Sequence, residues 1–260
     1  MTKTKSNSVR ELFLLPFDHR TSFEKDLFGI SGRPPTLREV EKSGQDEFDF
    51  EYGNAFRQHI LEVNPTYVKA LVRYNPEDNS LLNARQIPRL KLLSQFCRER
   101  SFRFMFELLV PATSGQLKKV EGNLQDYDRK LRPKLMIQSI RELQSHGIEP
   151  EIWKVEGLHV AADYVQLVDQ ARSQGRTHVT MILLGRGADR KTVSNWLTLA
   201  AQVPGFRGFA IGRTIWEESL KQVFLGNISP IEASGKIANE FRFYCDLWTR
   251  SAERISRLAS

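Results

Sequence analysis

The sequence has few cysteines and no long hydrophobic run, and both absences limit what the protein can be. Cys97 and Cys245 are its only cysteines and lack the spacing of a disulfide framework or a zinc site, which favours a reducing compartment. The longest apolar stretches, such as Phe13–Phe17 and Met181–Leu184, hold about five residues, against the roughly 20 that cross a bilayer. A membrane span is therefore not predicted.

The amino-terminal segment has only part of a secretion signal. Three basic residues precede Leu12–Phe17, but this apolar run is short, contains Pro16 and continues directly into Asp18. We therefore expect no secretion signal and a cytoplasmic protein.

The excess of positive charge does not by itself select a partner. Lys and Arg number 38 against 31 Asp and Glu, which gives a net charge of +7 and a pI near 9.5. This balance permits contact with nucleic acid, but it suits equally an enzyme that collects phosphorylated, anionic substrates. The sequence has no basic stripe with interleaved aromatic residues and no known nucleic-acid-binding motif, so nucleic acid is not an expected partner.

Short apolar runs alternate with amphipathic stretches of helical period along the chain. This is the pattern of repeated βα units around a parallel sheet, and no low-complexity linker interrupts it. We therefore predict a single α/β domain over residues 1–260. The predicted strands are Leu12–Phe17, Tyr67–Val72, Phe102–Val110, Glu151–Val155, Val179–Leu184 and Gly208–Ile211.

Caps and glycines mark the ends of the predicted helices. One helix begins near Asn79 and Ser80, and the next ends at Gly147. Two later helices are predicted over about 160–174 and 189–202, and a long helix ends the chain.

Polar residues follow nearly every predicted strand, which favours an α/β barrel of the (β/α)8 type over a doubly wound sheet. A barrel gathers the loops of all its strands at one site, whereas an open sheet concentrates them at one switch point. Between residues 36 and 65 the sequence indicates one helix and no convincing pair of strands. The helix is indicated by Phe48, Phe50, Phe56, Ile60 and Val63.

Two explanations of this shortage stay open. Either a strand lies in Leu37–Lys42, or the barrel lacks one or two βα units near its amino terminus. An open edge of this kind would favour pairing of the chain into a homo-oligomer.

Lys154 is the strongest single candidate for chemistry. In the segment EIWKVE, strand alternation places Trp153 and Val155 on one face and Ile152, Lys154 and Glu156 on the other. If helices cover the first face, Lys154 points into the barrel, where desolvation favours the neutral amine that attacks a carbonyl to form a Schiff base. The alternative is a lysine at a strand end whose ammonium group reaches water.

Lys69 and Glu107 interrupt two other predicted strands. Lys69 occupies the middle of YVKALVR, and a second ammonium group near Lys154 would lower the pKa of that lysine further. Glu107 interrupts the apolar run FMFELLV, where an unpaired carboxylate is destabilising, so we expect it to contact one of the lysines. Such a pair is either structural or an acid and base that serve an imine intermediate.

Polar residues also follow the first strand and the last two strands. Asp18, His19 and Arg20 place an acid, an imidazole and a cation at the predicted barrel mouth, although Asp18 would equally cap a helix. The last two strands run into LLGRG and AIGRT, and this repeated Gly-Arg pair favours phosphate binding over two unrelated turns. The residues concerned are Gly185, Arg186, Gly187, Gly212 and Arg213. The histidines lack metal-ligand spacing, so neither a metal nor another cofactor is predicted.

Seven segments of the sequence together resemble one known family. They are Leu12–Gly29, Val40–Gly53, Val68–Pro76, Phe104–Thr113, Trp153–Gly157, Leu183–Asp189 and Gly208–Ile215. In these segments the chain resembles the class I aldolase-like domain of bacterial myo-inositol catabolism proteins, a domain linked to 2-deoxy-5-keto-gluconate 6-phosphate aldolase. It is also similar to tagatose bisphosphate aldolase, whose Schiff-base lysine lies in a similar Lys-Val-Glu strand.

The resemblance implies a metal-independent aldolase that cleaves a phosphorylated keto-sugar into dihydroxyacetone phosphate and malonic semialdehyde. Lys154 would be the nucleophile, with Asp18, Lys69 and Glu107 as supporting catalytic residues. The substrate and its phosphate would be bound by His19, Arg20, Gly185, Arg186, Gly187, Gly212 and Arg213.

Two departures from this family stand out. Residues 32–39 join two matched segments directly, at a place where the family has more βα structure. The sequence also contains no counterpart of the sugar kinase that is fused to some relatives, so kinase activity is not expected of this chain. The first departure supports an alternative hypothesis, a non-catalytic or impaired relative that binds a sugar phosphate.

Overall fold

The computed structural model of the chain describes residues 11–17, 40–42 and 44–258. Six strands in these residues form one curled, all-parallel sheet in the order β1-β6-β5-β4-β3-β2. They are β1 (Leu12–Leu14), β2 (Tyr67–Arg73), β3 (Arg103–Leu109), β4 (Ile152–Glu156), β5 (Thr180–Leu184) and β6 (Phe206–Ala210). All six predicted strands are confirmed, with ends that differ from the predictions by at most three residues.

The pairing of the first strand with the last identifies the sheet as a barrel with an opening. Strand β1 pairs with β6, whereas a doubly wound sheet would leave its last strand at an edge. Within the described residues, no strand joins β1 to β2. The predicted α/β barrel that is short near its amino terminus is therefore confirmed.

Helices follow the strands and cover the outside of the sheet. They are α1 (Phe56–Val63), α2 (Ser80–Glu99), α3 (Ser114–Lys119), α4 (Leu124–Asp126), α5 (Arg132–Ser145), α6 (Ala161–Arg172), α7 (Arg190–Ala200), α8 (Arg213–Phe224) and α9 (Pro230–Leu258). The predicted start of α2 is confirmed, because the Asn79 side chain accepts a hydrogen bond from the backbone N–H of Leu81 at 3.0 Å. In the described part of the chain, no helix combines the length and apolar character needed to cross a bilayer.

The prediction that Phe48 and Phe50 belong to one helix with Phe56 is wrong. Helix α1 begins at Phe56, and Phe50 instead forms an antiparallel bridge with Glu41. Both earlier phenylalanines are buried all the same, and the Phe50 ring stacks on that of Phe56 with centroids 3.9 Å apart. Burial in an irregular segment explains the apolar spacing that suggested a helix. Residue 41 therefore lies in this bridge, while residues 37–39 fall outside the described chain.

The two faces of the sheet form separate apolar clusters. Trp153 and Val155 belong to the large cluster between sheet and helices. The inner face holds a small cluster of Met105, Ile152, Ile182 and Ala210. Strand alternation therefore places Lys154 and Glu156, which share the face of Ile152, toward the inside of the barrel.

Candidate active site inside the barrel

Lys154 is almost fully buried beside Glu107. Its Nζ atom lies 3.0 Å from Oε1 of Glu107, and only 4% of the lysine side chain is exposed. The second carboxylate oxygen of Glu107 accepts a hydrogen bond from Nζ of Lys69 at 3.2 Å. Glu107 thus bridges two lysines, whereas the sequence predicted contact with one.

The register of three adjacent strands produces this arrangement. Glu107 is the direct neighbour of Lys154 across the pairing of β3 with β4. Across the pairing of β2 with β3, Lys69 is opposite Met105, two residues before Glu107 and on the same face. A diagonal neighbour at this spacing is within reach of a long side chain.

Glu41 adds a fourth charged group, which the sequence did not single out. Its Oε1 atom lies 3.6 Å from Nζ of Lys69, and only 4% of its side chain is exposed. It belongs to the segment before β2 and not to a barrel strand. Acidic residues in connecting segments are common, so Glu41 did not stand out as a charged residue. Its only signal in the sequence was its position in Val40–Gly53, one of the segments that resemble the aldolase-like family.

The four groups balance each other in charge: two ammonium groups alternate with two carboxylates, from Glu41 through Lys69 and Glu107 to Lys154. Taking an ion from water into a protein interior costs several kcal/mol, and close partners of opposite charge offset that cost. A carboxylate within hydrogen-bond reach of two amines can also exchange protons with either of them. The arrangement is therefore suited both to structural stabilisation and to acid–base chemistry.

A second buried cluster surrounds Glu156 at the carboxyl end of β4. The fully buried Arg132 places Nη1 3.3 Å from Oε1 of Glu156 and Nε 3.0 Å from Oδ1 of Asp128. Arg186 contacts the same two carboxylates, with Nε 3.2 Å from Glu156 and Nη1 3.0 Å from Asp128. The backbone N–H of Val110 donates to the other oxygen of Glu156 at 2.9 Å. Asp128 and Arg132 were not expected from the sequence, because they are remote from the strand ends.

This cluster keeps Arg186 charged but shares its guanidinium with two carboxylates. Burial lowers the pKa of Arg186, and the charges of Glu156 and Asp128 more than offset this effect, so that the pKa lies above its ordinary value. One edge of the guanidinium is thus already engaged within the protein. Arg186 also has a positive φ of 54°, which is uncommon for a residue other than glycine.

The predicted phosphate-binding glycines have different surroundings. A Cβ atom on Gly185 would lie 2.9 Å from Cγ2 of Ile211, and one on Gly212 would lie 2.5 Å from the carbonyl oxygen of Pro16. Close packing therefore requires glycine at both positions. This packing explains the two glycines whether or not a phosphate binds there. At Gly187, the nearest atom to such a Cβ is Cζ of Arg213 at 3.4 Å, so the two Gly-Arg motifs meet there.

The remaining predicted site residues, Asp18, His19 and Arg20, lie outside the described residues. In the described part of the chain, no group of three or more His, Cys, Asp or Glu side chains is arranged to hold a metal ion. The described site therefore consists of Lys154, Glu107, Lys69 and Glu41, with the Glu156 cluster beside it.

Comparison with known sequences assigns the chain to a family. The profile of a family described as an uncharacterized protein conserved in bacteria, DUF2090, matches residues 35–252. The chain belongs to DUF2090. No curated protein matches this DUF2090 chain in sequence.

Solved structures with a similar fold include two fructose-bisphosphate aldolases. The enzyme from Plasmodium falciparum, in a ternary complex with TRAP and a small-molecule inhibitor, has a TM-score of 0.53 at 10% identity, over 83% of the DUF2090 chain and 65% of its own. The enzyme from Slackia heliotrinireducens has a TM-score of 0.49 at 11% identity, over 78% and 65%. A Corynebacterium glutamicum protein, Cgl0159, has a TM-score of 0.46 at 15% identity, over 72% and 55%.

The match to the Plasmodium enzyme supports the barrel fold of the DUF2090 chain. At 10% identity it shows the fold alone. The DUF2090 chain spans less than two thirds of the length of each of these three proteins.

Proposed function

We propose that this DUF2090 protein is a lyase of the class I aldolase type, with Lys154 as its Schiff-base nucleophile. The observation that carries this proposal is the buried contact of Lys154 with Glu107 on the inner face of adjacent barrel strands, 3.0 Å apart. A nucleophilic lysine within hydrogen-bond reach of a proton-transfer group is the arrangement that imine chemistry needs. The aldolase-like barrel and the resemblance of the matched segments support the same proposal.

In the proposed reaction, the neutral amine of Lys154 attacks the ketone carbon of the substrate. The resulting carbinolamine loses water to form an iminium ion, which accepts the electron pair when the neighbouring carbon–carbon bond breaks. The aldehyde fragment leaves after its hydroxyl gives up a proton. The enamine that stays on Lys154 is protonated on carbon, and water hydrolyses the imine to release the second product.

Glu107 is the proposed proton-transfer group for these steps. One of its oxygens faces Nζ of Lys154, while the other is held by Lys69, which fixes the plane of the carboxylate. We also assign to Lys69 the orientation of the substrate carbonyl oxygen. We assign Asp18 to the substrate hydroxyls on the strength of the resemblance alone.

The proposed substrate is a keto-sugar phosphate, and the resemblance makes 2-deoxy-5-keto-gluconate 6-phosphate the first to test. Its expected products are dihydroxyacetone phosphate and malonic semialdehyde. The positive charge of Arg213 beside Gly187 supports a phosphorylated substrate.

Reductive trapping tests this proposal directly. The protein is incubated with dihydroxyacetone phosphate and sodium borohydride, its intact mass is measured, and the modified peptide is mapped. We expect one adduct per chain, located on Lys154 and absent from Lys154→Met. The matched control Lys191→Met removes an exposed lysine on α7 and should keep the adduct. An adduct on another lysine, or none on folded protein, would overturn the assignment.

One observation favours a second candidate, a sugar-phosphate-binding protein without turnover. Lys154 lies 3.0 Å from Glu107 in a buried contact, which is also the geometry of a purely structural ion pair. This candidate predicts that the substrate raises the melting temperature of the protein while neither product forms. Product formation that depends on Lys154 would exclude it.

A further inference from the structure

A cleft lies at the carboxyl ends of β4 and β5, between the loops that follow these two strands and the segment around α4. It has a volume of about 300 Å³, which is at the lower end of the range for small-molecule sites. Its walls are formed in particular by Gln125, Arg129, His159, Arg186, Gly187 and Trp196. No strand residue lines it, and it shares Asp128 and Arg186 with the Glu156 cluster.

The charge of the cleft is positive. Arg129 is an exposed residue on its wall, and Arg186 contributes a second guanidinium. The one carboxylate in the lining, Asp128, is engaged by two cations, because its oxygens lie 3.0 Å from both Arg132 and Arg186. The Asp128 charge is therefore offset within the protein, and Arg129 supplies the positive charge that a ligand would meet.

The rest of the lining offers neutral hydrogen-bonding groups and an apolar wall. Burial lowers the pKa of His159, and Arg129 and Arg132 lower it further, so the imidazole is neutral near pH 7 and has one N–H to donate. Gln125 adds an amide to the lining. Trp196 and Ala188 form a small apolar surface. Such a mixture suits a small anion with a short organic body.

We propose that this cleft binds the phosphate group of a small phosphomonoester, with Arg129 and His159 as donors to its oxygens. Guanidinium groups form strong charge-assisted hydrogen bonds with phosphate. Arg186 and Gly187 also belong to the predicted phosphate-binding residues, so the inference rests on the proposed function for the class of its ligand. Binding in the cleft needs no reaction at Lys154, so the two proposals can fail separately.

Titration with sn-glycerol 3-phosphate tests the cleft without imine chemistry, because this probe has no carbonyl group. Calorimetry at constant ionic strength should give saturable binding to the full chain, and inorganic phosphate should compete for it. Arg129→Gln removes a charge-assisted hydrogen bond and should weaken binding at least about tenfold. His159→Gln should also weaken it.

The adjacent Lys130 provides a matched control. Its Nζ atom donates to Asp126 at 3.0 Å and it does not line the cleft, so Lys130→Gln should keep the affinity within about twofold. Lys154→Met should bind the probe as tightly as the unmodified chain. If Lys154→Met loses binding while Arg129→Gln keeps it, the phosphate lies at the Lys154 site and the cleft proposal is wrong. Absence of saturable binding to the full chain would also overturn it.

Discussion

Removing the carboxylate of Glu107 should destabilise the protein more than removing the ammonium group of Lys154. Glu107→Gln leaves two ammonium groups facing a neutral amide, and one of them belongs to Lys154, whose side chain is only 4% exposed. Breaking a buried ion pair in this way costs roughly 3–5 kcal/mol. Lys69 contributes less to this loss of stability, because its side chain is 22% exposed and Glu41 stays 3.6 Å from its ammonium group. We therefore expect about 3 kcal/mol, the lower end of that range.

Lys154→Met, by contrast, leaves Glu107 paired with Lys69 at 3.2 Å. The new side chain is apolar and unbranched, so we expect a loss within the range of ordinary substitutions, roughly 0.5–3 kcal/mol and below that of Glu107→Gln. The double variant should be more stable than Glu107→Gln alone, because the unpaired buried ammonium group is gone.

Urea unfolding followed by tryptophan fluorescence and by far-ultraviolet circular dichroism measures these differences. The free energies of unfolding can be compared if both signals show the same transition and if the dependence of the free energy on urea concentration is the same in all variants. The control Glu240→Gln breaks an exposed pair with Arg190 at 2.7 Å and should cost about 0–1 kcal/mol. The reasoning is refuted if Glu107→Gln costs no more than Lys154→Met, or if the double variant is the least stable of the three.

Three further predictions concern other parts of the molecule. Gly157→Ala should lower the free energy of unfolding, measured with urea, by roughly 1–3 kcal/mol or more, because the new Cβ atom would lie 2.0 Å from the Trp196 ring. The control Gly235→Ala should be neutral or stabilising, because no atom lies within 4 Å of the new Cβ atom. Burial raises the pKa of Cys97 to about 12, so a thiol reagent at pH 8 should label it in the unfolded protein and not in the native one. The pKa of His159 is lowered in the folded state, so the unfolded state binds more protons below about pH 6.5 and stability should fall as the pH drops through that value. His159→Gln should reduce this loss of stability, measured by urea unfolding between about pH 6.5 and pH 5. If the free energy of unfolding of the variant falls with pH as steeply as that of the unmodified chain, the assignment to His159 is contradicted.

Local patterns in the sequence predicted most of the fold. Strand alternation around Lys154 identified the face that points into the barrel, since successive side chains in a strand always leave the sheet on opposite sides. The cap at Asn79 was equally readable, because a cap depends on the residues next to it. The same local reasoning failed for Phe48 and Phe50, which are buried in an irregular segment before α1 and not in the helix itself.

The candidate site was predicted only where one strand determined it. Lys69, Glu107 and Lys154 stood out in the sequence because a charge inside an apolar strand is unusual and needs a partner. That Glu107 bridges both lysines was decided by the register of β2, β3 and β4, which the sequence of a single strand does not specify. Glu41 depended on tertiary structure entirely, since its segment packs beside β2 without belonging to the sheet.

The sequence by itself determined the chain order of strands and helices, the inward face of β4 and the charged residues inside β2, β3 and β4. Each of these follows from the short period of a strand or a helix, or from a capping residue next to a helix end. Tertiary structure decided the partners: the pairing of β1 with β6, the contact of Glu41 with Lys69, and the contact of Arg186 with Asp128, 58 residues away. Contacts between residues so far apart depend on how whole elements pack against each other, and no local pattern encodes that.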